Sequence, residues 1–404
     1  MIPFSPPFIS REVIDEVVDS LESGWITTGP KVLKLEKEIS KIANIDNVVC
    51  VNSWTSGAIL TFYWFGLGKD DEVIVPVYTY SATAISVIHA GAKIVMVDIG
   101  DDFNINIKKV EEAITDKTKA IMPVDFAGLP ADYSALFNLV NTPKIKSIYT
   151  PNNENQKKIG RILIVSDAAH SLGASFYNEK HKCLADLTIY SLHAVKNFTT
   201  AEGGAIAINL PSEFDNEKVY KEMRLLSLNC QTKDALAKTK PGNWKYDIIG
   251  LGLKINMPDV NAAIGLGQLI HFKSLSARRK EIFKRYSLGF SKYDWAKLPK
   301  SSYGDVESSY HLFPLRFPNL NEPKRDRLIE LISLKEVAVN VHFIPMPMLT
   351  YFKHLGFNII DYPVAYKNYS TEISIPLYPQ LTDESVDFII ETVVSSYQTL
   401  MSEL

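Results

Sequence analysis

The sequence is poor in cysteine and lacks a long hydrophobic run. Cys50, Cys183 and Cys230 are its three cysteines, and no CxxC spacing occurs, which argues against a disulfide framework and a zinc site. No uncharged apolar stretch approaches the roughly 20 residues that a membrane-spanning helix needs. The first residues contain no basic segment followed by an apolar one, so no signal peptide is expected. We therefore expect a cytoplasmic protein with reduced thiols, no bound metal and no membrane insertion.

An excess of charge of one sign is also missing. The 43 basic and 46 acidic residues leave a formal net charge of −3, which does not indicate a nucleic-acid-binding surface. Neither GxGxxG nor GxxxxGK[ST] occurs, so the usual dinucleotide and nucleoside-triphosphate loops are not expected. The 404 residues, 46% of them hydrophobic, can bury a large core and would suit about two or three domains.

What the chain does contain is a regular alternation of short apolar strands and helices. Strands are predicted near 48–51, 72–76, 93–97, 119–124 and 162–165, and helices near 11–23, 31–43, 56–66, 81–90 and 107–114. This alternation indicates a mostly parallel sheet covered on both faces. After about residue 211 it ends. One long helix near 258–291, strands near 309–316 and 338–343, and helices near 323–333 and 383–399 then predict a smaller α+β domain.

A lysine stands between two apolar runs in the segment 186–204. A strand over 187–192 is followed by a polar turn with Lys196, and Gly203-Gly204 precede the second run, 205–209. Burial of an unpaired ammonium group is costly. One solution is a lysine whose amine forms an imine with an aldehyde cofactor. The alternative is a surface lysine on a loop.

Other polar residues are predicted at the carboxyl edge of the sheet, where open α/β folds bind ligands. Residues 51–57 turn from a strand into a helix through small residues, and their backbone N–H groups could hold a phosphate, although such turns are common. Asp167 follows the strand 162–165 and could face a protonated pyridine nitrogen or only cap a helix. His170 is within reach of the same ring, or is a structural histidine.

Hydroxyl residues and one aromatic residue complete the set. Ser191 precedes Lys196 by five residues, so its hydroxyl could reach a phosphate while the amine reaches the aldehyde. Tyr80 ends another strand and could stack on a ring face or belong to the core. Thr27 and Thr28, in the turn after the first helix, are either turn caps or ligand-facing hydroxyls.

Several blocks of the chain, in order, resemble the DegT/DnrJ/EryC1/StrS family of sugar-nucleotide aminotransferases, which share the type I fold of pyridoxal phosphate enzymes. The matching blocks are 2–5, 23–30, 126–130, 166–170, 191–200, 202–204, 256–259, 341–345 and 377–379. The resemblance implies an α/β fold with a large cofactor-binding domain, residues 1–245, and a smaller α+β domain, residues 246–404. Residues 1–12 could pack on the small domain.

The resemblance also implies roles for individual residues. Lys196 would bind pyridoxal 5'-phosphate and shuttle the proton, Asp167 would pair with the pyridinium nitrogen, and His170 would flank the ring hydroxyl. The other implied cofactor contacts are Thr55, Ser56, Tyr80, Ser191 and Asn256. Asn256 would reach the phosphate of a neighbouring subunit, which implies a homodimer with shared sites. Substrate contacts are assigned to Thr27, Thr28 and His342.

The implied reaction converts a keto group on a nucleotide-linked sugar to an amine, with glutamate as donor and pyridoxamine phosphate between the half-reactions. The blocks 24–30 and 341–345 most resemble C4-aminating members, so a UDP-linked 4-keto-6-deoxy-N-acetylhexosamine used in surface polysaccharide or glycan synthesis is the expected substrate. A UDP-linked 4-keto-pentose, as in 4-amino-4-deoxy-arabinose formation, or a 3-keto sugar is the alternative. Lys196 argues against the 3-dehydratase branch, which has histidine there. A regulator that binds nucleotide sugar without turnover is a hypothesis of another class.

Four features depart from the family pattern. Asp125 stands where many relatives have histidine, Trp54 replaces a small residue in the phosphate turn, and Ala201 replaces glycine before Glu202. The Asn- and Lys-rich segment 141–161 is longer than usual and is predicted to be a surface insertion. These departures concern substrate details, since none alters the lysine or its aspartate.

Overall fold

The computed structural model describes residues 1–176, 185–233 and 244–403. Cys183, predicted to be a reduced thiol, lies outside the described residues, whereas Cys50 and Cys230 are free and buried. In the part of the chain that is described, no helix has the length and apolar character needed to cross a bilayer.

The helices and strands alternate through the first half of the chain. The helices are α1 Arg11–Glu22, α2 Pro30–Ala43, α3 Trp54–Phe65, α4 Ala82–His89, α5 Ile107–Ala113, α6 Tyr133–Val140, α7 Pro143–Ile148, α8 Glu154–Ile159, α9 Asn216–Ser227, α10 Asp259–Leu269, α11 Phe272–Phe290, α12 Glu322–Ser333, α13 Thr350–His354, α14 Pro363–Tyr369 and α15 Asp383–Ser402. The strands are β1 Asn47–Val51, β2 Glu72–Pro76, β3 Lys93–Val97, β4 Thr118–Ile121, β5 Leu163–Asp167, β6 Ser175–Phe176, β7 Leu187–Ser191, β8 Gly204–Ile208, β9 Ser302–Tyr303, β10 Val306–Glu307, β11 Phe313–Arg316 and β12 Glu372–Ile375.

Among the described residues, seven strands form the central sheet, in the order β1-β8-β7-β5-β4-β2-β3. All of its pairings are parallel except those of β8, which runs antiparallel to both β1 and β7. The parallel strands therefore end at one edge, and β8 begins at that same edge. This arrangement confirms the predicted α/β fold with a mostly parallel sheet.

The sheet is buried on both faces. Successive side chains of a strand point to opposite sides, so each strand contributes to two cores. In β1, Val49 and Val51 pack into the core that contains residues of α3. Val48 and Cys50 point the other way, into the core that contains residues of α2. Each large apolar side chain fully buried in this way contributes about 1.5–3 kcal/mol.

A second core lies in the C-terminal part of the chain. Helices α11, α12 and α15 build it around β11 and β12, which pair antiparallel. Along the chain, Ile282 is the first buried residue of this core. The N-terminus reaches this region, since Ile2 forms a parallel bridge with Val337. The domain division at residues 245/246 stays a prediction.

Two predicted elements of this half are wrong. The long helix 258–291 is two helices, because α10 packs against α1 whereas α11 contributes to the second core. At Gly267 in α10 a Cβ atom would lie 2.5 Å from the Cα atom of Val13, so only glycine permits this close approach. To the extent of the chain that is described, the predicted strand 338–343 makes only an isolated bridge, between Asn340 and Ser374. Ser374 lies in β12, an additional strand that pairs with β11.

The insertion 141–161 contains α7 and α8 and packs against the end of α3. The Asn155 side chain donates to the carbonyl oxygen of Trp64 at 2.8 Å. The Asn153 side chain donates to the carbonyl oxygens of Phe65 and Gly66, each at 3.0 Å. Carbonyl groups at a helix C-terminus have no partner within the helix. The insertion therefore supplies side-chain caps to α3, the helix whose first turn carries the predicted phosphate-binding residues.

Candidate active site at the carboxyl edge of the sheet

One row of residues crosses three strands at the carboxyl edge of the sheet. Gly204, the first residue of β8, pairs with Val51 of β1 on one side and with Ser191 of β7 on the other. A Cβ atom at Gly204 would lie 2.6 Å from the backbone carbonyl of Ser53. Glycine at this position therefore lets the turn after β1 lie directly against β8.

That turn begins helix α3. Ser53 is the N-cap residue, and its hydroxyl oxygen accepts the N–H of Ser56 at 3.1 Å and lies 2.9 Å from the Ser56 hydroxyl. Thr55 is half-buried in the same first turn. The bulky Trp54 does not crowd the turn, because its indole is buried and donates to the carbonyl oxygen of Ile189 at 2.9 Å. A helix N-terminus with small hydroxyl residues suits a phosphate group.

The carboxylate of Asp167 lies at the end of β5 and is 4% exposed. Its Oδ2 atom accepts the Thr83 hydroxyl at 2.7 Å, and its Oδ1 atom accepts the backbone N–H of Ala169 at 3.2 Å. Burial raises the pKa of Asp167 to about 7, and the Lys196 ammonium opposes that rise. The Asp167 carboxylate thus accepts a backbone N–H from the turn that follows β5, as expected of a structural cap. It also interacts with the Lys196 ammonium group.

Lys196 lies in the turn after β7, where its backbone N–H donates to the carbonyl oxygen of His193 at 3.0 Å. The residue is partly buried. Burial lowers the pKa of its amine to about 8, and the negative charge of Asp167 acts in the opposite direction. A large share of the amine is therefore neutral and nucleophilic near pH 8.

His170 lies in a stack of rings. Its ring centroid is 4.4 Å from that of His311 and 6.0 Å from that of Phe343. Burial and the Lys196 charge hold the pKa of His170 well below its usual range, so the imidazole is neutral. Its Nδ1 atom is buried and has no hydrogen-bond partner within the described residues. A buried polar atom without a protein partner fits a hydrogen bond to a ligand.

His342 is held through both of its backbone polar groups. Its N–H donates to Oε2 of Glu372 at 3.0 Å, and its carbonyl oxygen accepts the Tyr78 hydroxyl at 2.6 Å. Burial and the Lys196 charge lower the pKa of His342 to about 3. The neutral ring has an Nδ1 atom with no hydrogen-bond partner in the described parts of the chain, so it can still bond to a substrate hydroxyl.

The structure brings four predicted residues into one site. The charge of Lys196 lowers the pKa of both His170 and His342, and the lysine interacts with Asp167. Tyr80 lies at the rim, since it is 65% exposed and its ring centroid is 6.1 Å from that of Phe343. Stacking of Tyr80 on a cofactor ring stays a prediction.

Ser191 is placed close to the lysine turn. It is 8% exposed at the end of β7, and its hydroxyl oxygen accepts the N–H of His193 at 3.4 Å. The hydroxyl hydrogen is not used in that contact, so it can donate to an anion. Ser191, Thr55 and Ser56 therefore lie at the edge where a phosphate group would be bound, and their phosphate contacts stay predictions.

Thr27, Thr28 and Asn256 form a separate group beside the end of β1. The Asn256 side-chain amide donates to the Thr28 hydroxyl, and Asn256 forms an isolated bridge with Val51. Thr27 is exposed, and its carbonyl oxygen accepts the N–H of Asp259 at 3.1 Å. Thr28 and Asn256 bond to each other and Thr27 bonds to Asp259, and ligand contacts of these residues stay predictions.

Two departures from the family pattern have structural explanations. Asp125 is buried, and its carboxylate accepts the Tyr133 hydroxyl at 2.6 Å and the Ser171 hydroxyl at 2.5 Å. Hydroxyl donors thus satisfy this acid, although burial still raises its pKa to about 6. Ala201 has φ +65°, the left-handed conformation that favours glycine by about 1 kcal/mol or more, which accounts for glycine in relatives.

The sequence pattern missed several residues that hold the site. Thr83, Tyr78 and Glu372 bond directly to Asp167 or to the backbone of His342. A weak signal exists for Thr83, because a hydroxyl residue lies in the first turn of a helix that begins at the carboxyl edge of the sheet. Glu372 gives no such signal, because it lies in β12, a strand that the sequence pattern did not predict.

Comparisons with known proteins agree with this architecture. The model of the DegT/DnrJ/EryC1/StrS aminotransferase family matches residues 7–149 and 154–394. The pyridoxamine phosphate form of the putative sugar aminotransferase Spr1654 from Streptococcus pneumoniae is 44% identical, with a TM-score of 0.94 and coverage of 99% of this chain and 100% of that chain. Its pyridoxal phosphate form is 42% identical, with a TM-score of 0.93 and 99% of each chain covered.

A curated relative and a more distant structure extend the comparison. The spore coat polysaccharide biosynthesis protein SpsC of Bacillus subtilis is 34% identical over 400 residues, which cover 97% of this chain and 96% of SpsC. The aminotransferase PseC of Helicobacter pylori, involved in pseudoaminic acid biosynthesis, has a TM-score of 0.86 with 98% of this chain and 99% of PseC covered. At 24% identity PseC bears on the fold alone.

Proposed function

We propose, since the chain belongs to the DegT/DnrJ/EryC1/StrS aminotransferase family, that it transfers an amino group from glutamate to a keto group on a nucleotide-linked sugar. The enzyme is a pyridoxal phosphate-dependent sugar aminotransferase. The observation that carries the residue assignment is the grouping of the partly buried Lys196 and His342 with the buried Asp167 and His170 at the carboxyl edge of the sheet.

The residues of this site fit the cofactor. The amine of Lys196 has a pKa of about 8, which suits a lysine that reacts with an aldehyde. Asp167 is a buried carboxylate that needs a cation. The buried Nδ1 atom of His170 lacks a protein partner within the described ranges. When bound, pyridoxal phosphate supplies an aldehyde for the amine and a cationic ring that accepts electrons.

Each side chain has one task in this proposal. Lys196 holds the cofactor through its amine and afterwards moves a proton at the substrate carbon as general base and acid, which is efficient because its pKa lies near neutral pH. Asp167 keeps the ring nitrogen protonated, and His170 flanks the ring hydroxyl. Phosphate contacts are proposed for Thr55, Ser56 and Ser191, and Tyr80 would cover the ring at the rim.

The amino acceptor is proposed to be a UDP-linked 4-keto-6-deoxy-N-acetylhexosamine. His342 supports a hydroxyl-rich ligand, because its neutral ring keeps a buried Nδ1 atom for a hydrogen bond. Thr27 and Thr28 would add hydroxyl groups from a partner subunit or from the same chain. A UDP-linked 4-keto-pentose and a 3-keto sugar are the alternatives. The similarity to SpsC supports a place in surface polysaccharide synthesis, and the proposed location of the enzyme is the cytoplasm.

A homodimer with shared sites is part of the proposal. Asn256 would bind the cofactor phosphate of the partner subunit. An apolar surface lies close in sequence to Asn256 and is defined by five side chains, each more than half exposed: Trp244, Tyr246, Ile248, Ile249 and Leu251. An exposed apolar patch of this kind is typical of an interface. A second copy of the chain would bury it.

The proposal is tested in two stages with the cofactor-loaded protein. Glutamate alone should give one 2-oxoglutarate per active site and a loss of the visible absorbance band. A panel of 4-keto and 3-keto nucleotide sugars, UDP- and dTDP-linked, is then added, and mass spectrometry identifies the aminated product. Lys196→Ala should neither release 2-oxoglutarate nor aminate a sugar. Lys41→Ala, a change at an exposed helix lysine, should do both.

The two stages separate the possible errors. Release of 2-oxoglutarate without amination of any sugar would contradict the proposed acceptor class. Binding of a nucleotide sugar without release of 2-oxoglutarate would contradict the aminotransferase proposal and favour a regulator that does not turn over its ligand.

A further inference from the structure

Two buried polar residues beside the site have no task in the proposed chemistry. Asn197 follows Lys196 directly and is 9% exposed, and His311 precedes β11 and is 4% exposed. The Asn197 side-chain amide donates to the carbonyl oxygen of Ser309 at 2.8 Å, and its Oδ1 atom lies 2.9 Å from Nδ1 of His311. One side chain of the lysine turn is therefore bonded twice to the segment before β11.

These contacts determine the tautomer of His311. Since the Asn197 amide nitrogen bonds to a carbonyl oxygen, its Oδ1 atom is an acceptor, and Nδ1 of His311 must carry the hydrogen. Burial and the nearby cations Lys196 and Arg279 hold the pKa of His311 well below its usual range. His311 is thus a neutral imidazole with a single permitted tautomer.

The segment that carries His311 is fixed on its other side as well. The N–H of His311 donates to the carbonyl oxygen of Ala127 at 3.2 Å. The Ser309 hydroxyl donates to the carbonyl oxygen of His170 at 2.5 Å. Arg279 of α11 is buried and donates to the carbonyl oxygens of His311 at 3.5 Å and Leu377 at 2.8 Å. Elements from both cores therefore hold this segment in place.

The His311 ring also contacts a predicted catalytic residue. Its centroid lies 4.4 Å from that of His170 with an interplanar angle of 37°. Phe343 is a second neighbour of the His170 ring, with a centroid distance of 6.0 Å and an interplanar angle of 21°. His170 has no hydrogen bond through Nδ1 in the described part of the chain, so the two flanking rings set the plane of its imidazole.

We propose that His311 and Asn197 form a positioning pair that holds the Lys196 turn and the ring of His170 in one arrangement. The pair touches no reacting atom and acts through these two residues. The inference rests on the proposed function, because its purpose is to keep the lysine amine beside the cofactor and the substrate carbon. A displacement of about 1 Å in such a group can slow a reaction about 100-fold.

The test separates the hydrogen bond from the ring. His311→Phe keeps a ring beside His170 and loses the Nδ1 donor, whereas His311→Asn keeps a donor at a similar place and loses the ring. Asn197→Ala removes the other partner. His354→Phe, a change at an exposed histidine of α13, is the matched control. Urea unfolding of each full-length variant shows whether it is folded.

The first measurement needs no catalysis. Acetylation of Lys196 in the cofactor-free chain is followed against pH by mass spectrometry, and the wild-type midpoint should lie at about 8. Loss of the pair releases the turn to solvent, so the midpoint in Asn197→Ala and His311→Phe should rise by about one unit or more. The midpoint of His354→Phe should equal that of the wild type.

The second measurement is the single-turnover rate with glutamate. Asn197→Ala and His311→Phe should each be about 10- to 100-fold slower. The double variant should be no slower than Asn197→Ala, since that single change already removes the bond to His311 as well as the bond to Ser309. His311→Asn should restore the labelling midpoint and leave the rate below that of wild type, because the His170 ring has lost its neighbour.

Unchanged midpoints in folded Asn197→Ala and His311→Phe would overturn the positioning pair, as would fully additive losses of rate. If His311→Phe does not fold, Asn197→Ala decides the question. The labelling result does not depend on catalysis. If the wild type does not react with glutamate, the proposed function is contradicted, but the labelling midpoints still show whether the pair holds Lys196.

Discussion

Thr83 donates its hydroxyl hydrogen to Oδ2 of Asp167 over 2.7 Å, and this contact joins α4 to the end of β5. The Thr79 hydroxyl lies 2.9 Å from that of Thr83, so it can donate in turn and orient the second hydroxyl. The contact stabilises the charged form of Asp167 against a burial that raises its pKa to about 7. The proposed pairing of Asp167 with the cofactor ring nitrogen requires this charged form.

Replacement of Lys196 should abolish turnover without loss of the fold. Lys196→Ala removes the amine with a pKa of about 8, so the loaded protein should lack its visible absorbance band, and the glutamate half-reaction should slow by about 10⁴-fold or more. Stopped-flow absorbance checks this rate. Circular dichroism and urea unfolding should match the wild type. Substantial residual transamination would reject the assignment of the lysine.

Replacement of Asp167 should lower activity and raise the stability of the cofactor-free protein. Burial raises the pKa of Asp167 from 3.8 to about 7. Between these two pH values the folded state keeps the proton of Asp167, whereas the unfolded state loses it. Stability contributed by this group is therefore lost as pH rises from about 4 to about 7. Asp167→Asn removes this loss and should be more stable at pH 8 by about 1–3 kcal/mol.

Urea unfolding of the cofactor-free Asp167→Asn protein at pH 8 and pH 4 measures this effect. The gain over the wild type should shrink towards pH 4, where the aspartate is protonated in both states. The activity of the loaded variant should fall about 100-fold or more, because the ring nitrogen loses its counterion. Equal activity would mean that the carboxylate is only a structural cap.

Mixed dimers test the proposed sharing of sites. Lys196→Ala and Asn256→Ala chains should each be inactive, but a mixed dimer would contain one site with both wild-type residues. Random mixing should therefore restore about a quarter of wild-type activity, since half of the dimers are mixed and one of their two sites works. Glutamate turnover after joint refolding measures the rescue. Absence of rescue in dimers that contain both chains would contradict a contribution of Asn256 across the interface.

Gly204→Ala should disturb the phosphate turn. The added Cβ atom would lie 2.6 Å from the backbone of Ser53, which cannot move without shifting the first turn of α3. We expect a loss of about 1–3 kcal/mol in unfolding free energy and a weaker affinity for pyridoxal phosphate. Gly68→Ala is the control, because the nearest atom to its Cβ would be 4.0 Å away. Equal cofactor affinity in Gly204→Ala and the wild type would contradict the proposed place of the phosphate.

The insertion should stabilise α3 through its asparagine side chains. Asn153→Ala removes the donors to the carbonyl oxygens of Phe65 and Gly66 as well as the N-cap of α8, so unfolding free energy should fall by about 1–3 kcal/mol. Urea unfolding measures this change. Glu154→Ala, which removes an exposed ion pair with Lys157, should have little effect. Equal stability of both variants would show that the insertion does not support the helix.

Much of the fold was predictable because its signals are local. The apolar runs 72–76 and 93–97 became strands with the predicted bounds. Period-2 and period-3.6 patterns depend on residues a few positions apart, which the sequence displays directly. The prediction of one long helix over 258–291 was wrong because its division depends on contacts that are distant in sequence. Its periodicity is continuous, but α10 and α11 pack on different cores.

The sequence by itself determined the alternation of strands and helices, the turn that carries Lys196, and the blocks that identify the family. Tertiary structure alone decided that the Trp54 indole bonds to the backbone of β7, that Tyr80 lies at the rim, and that Thr83 and His311 bond to Asp167 and Asn197. Thr83 bonds to a residue 84 positions away, and His311 to one 114 positions away. Such pairs form only when the whole chain has packed, because nothing in the local pattern specifies which distant side chain will be the neighbour.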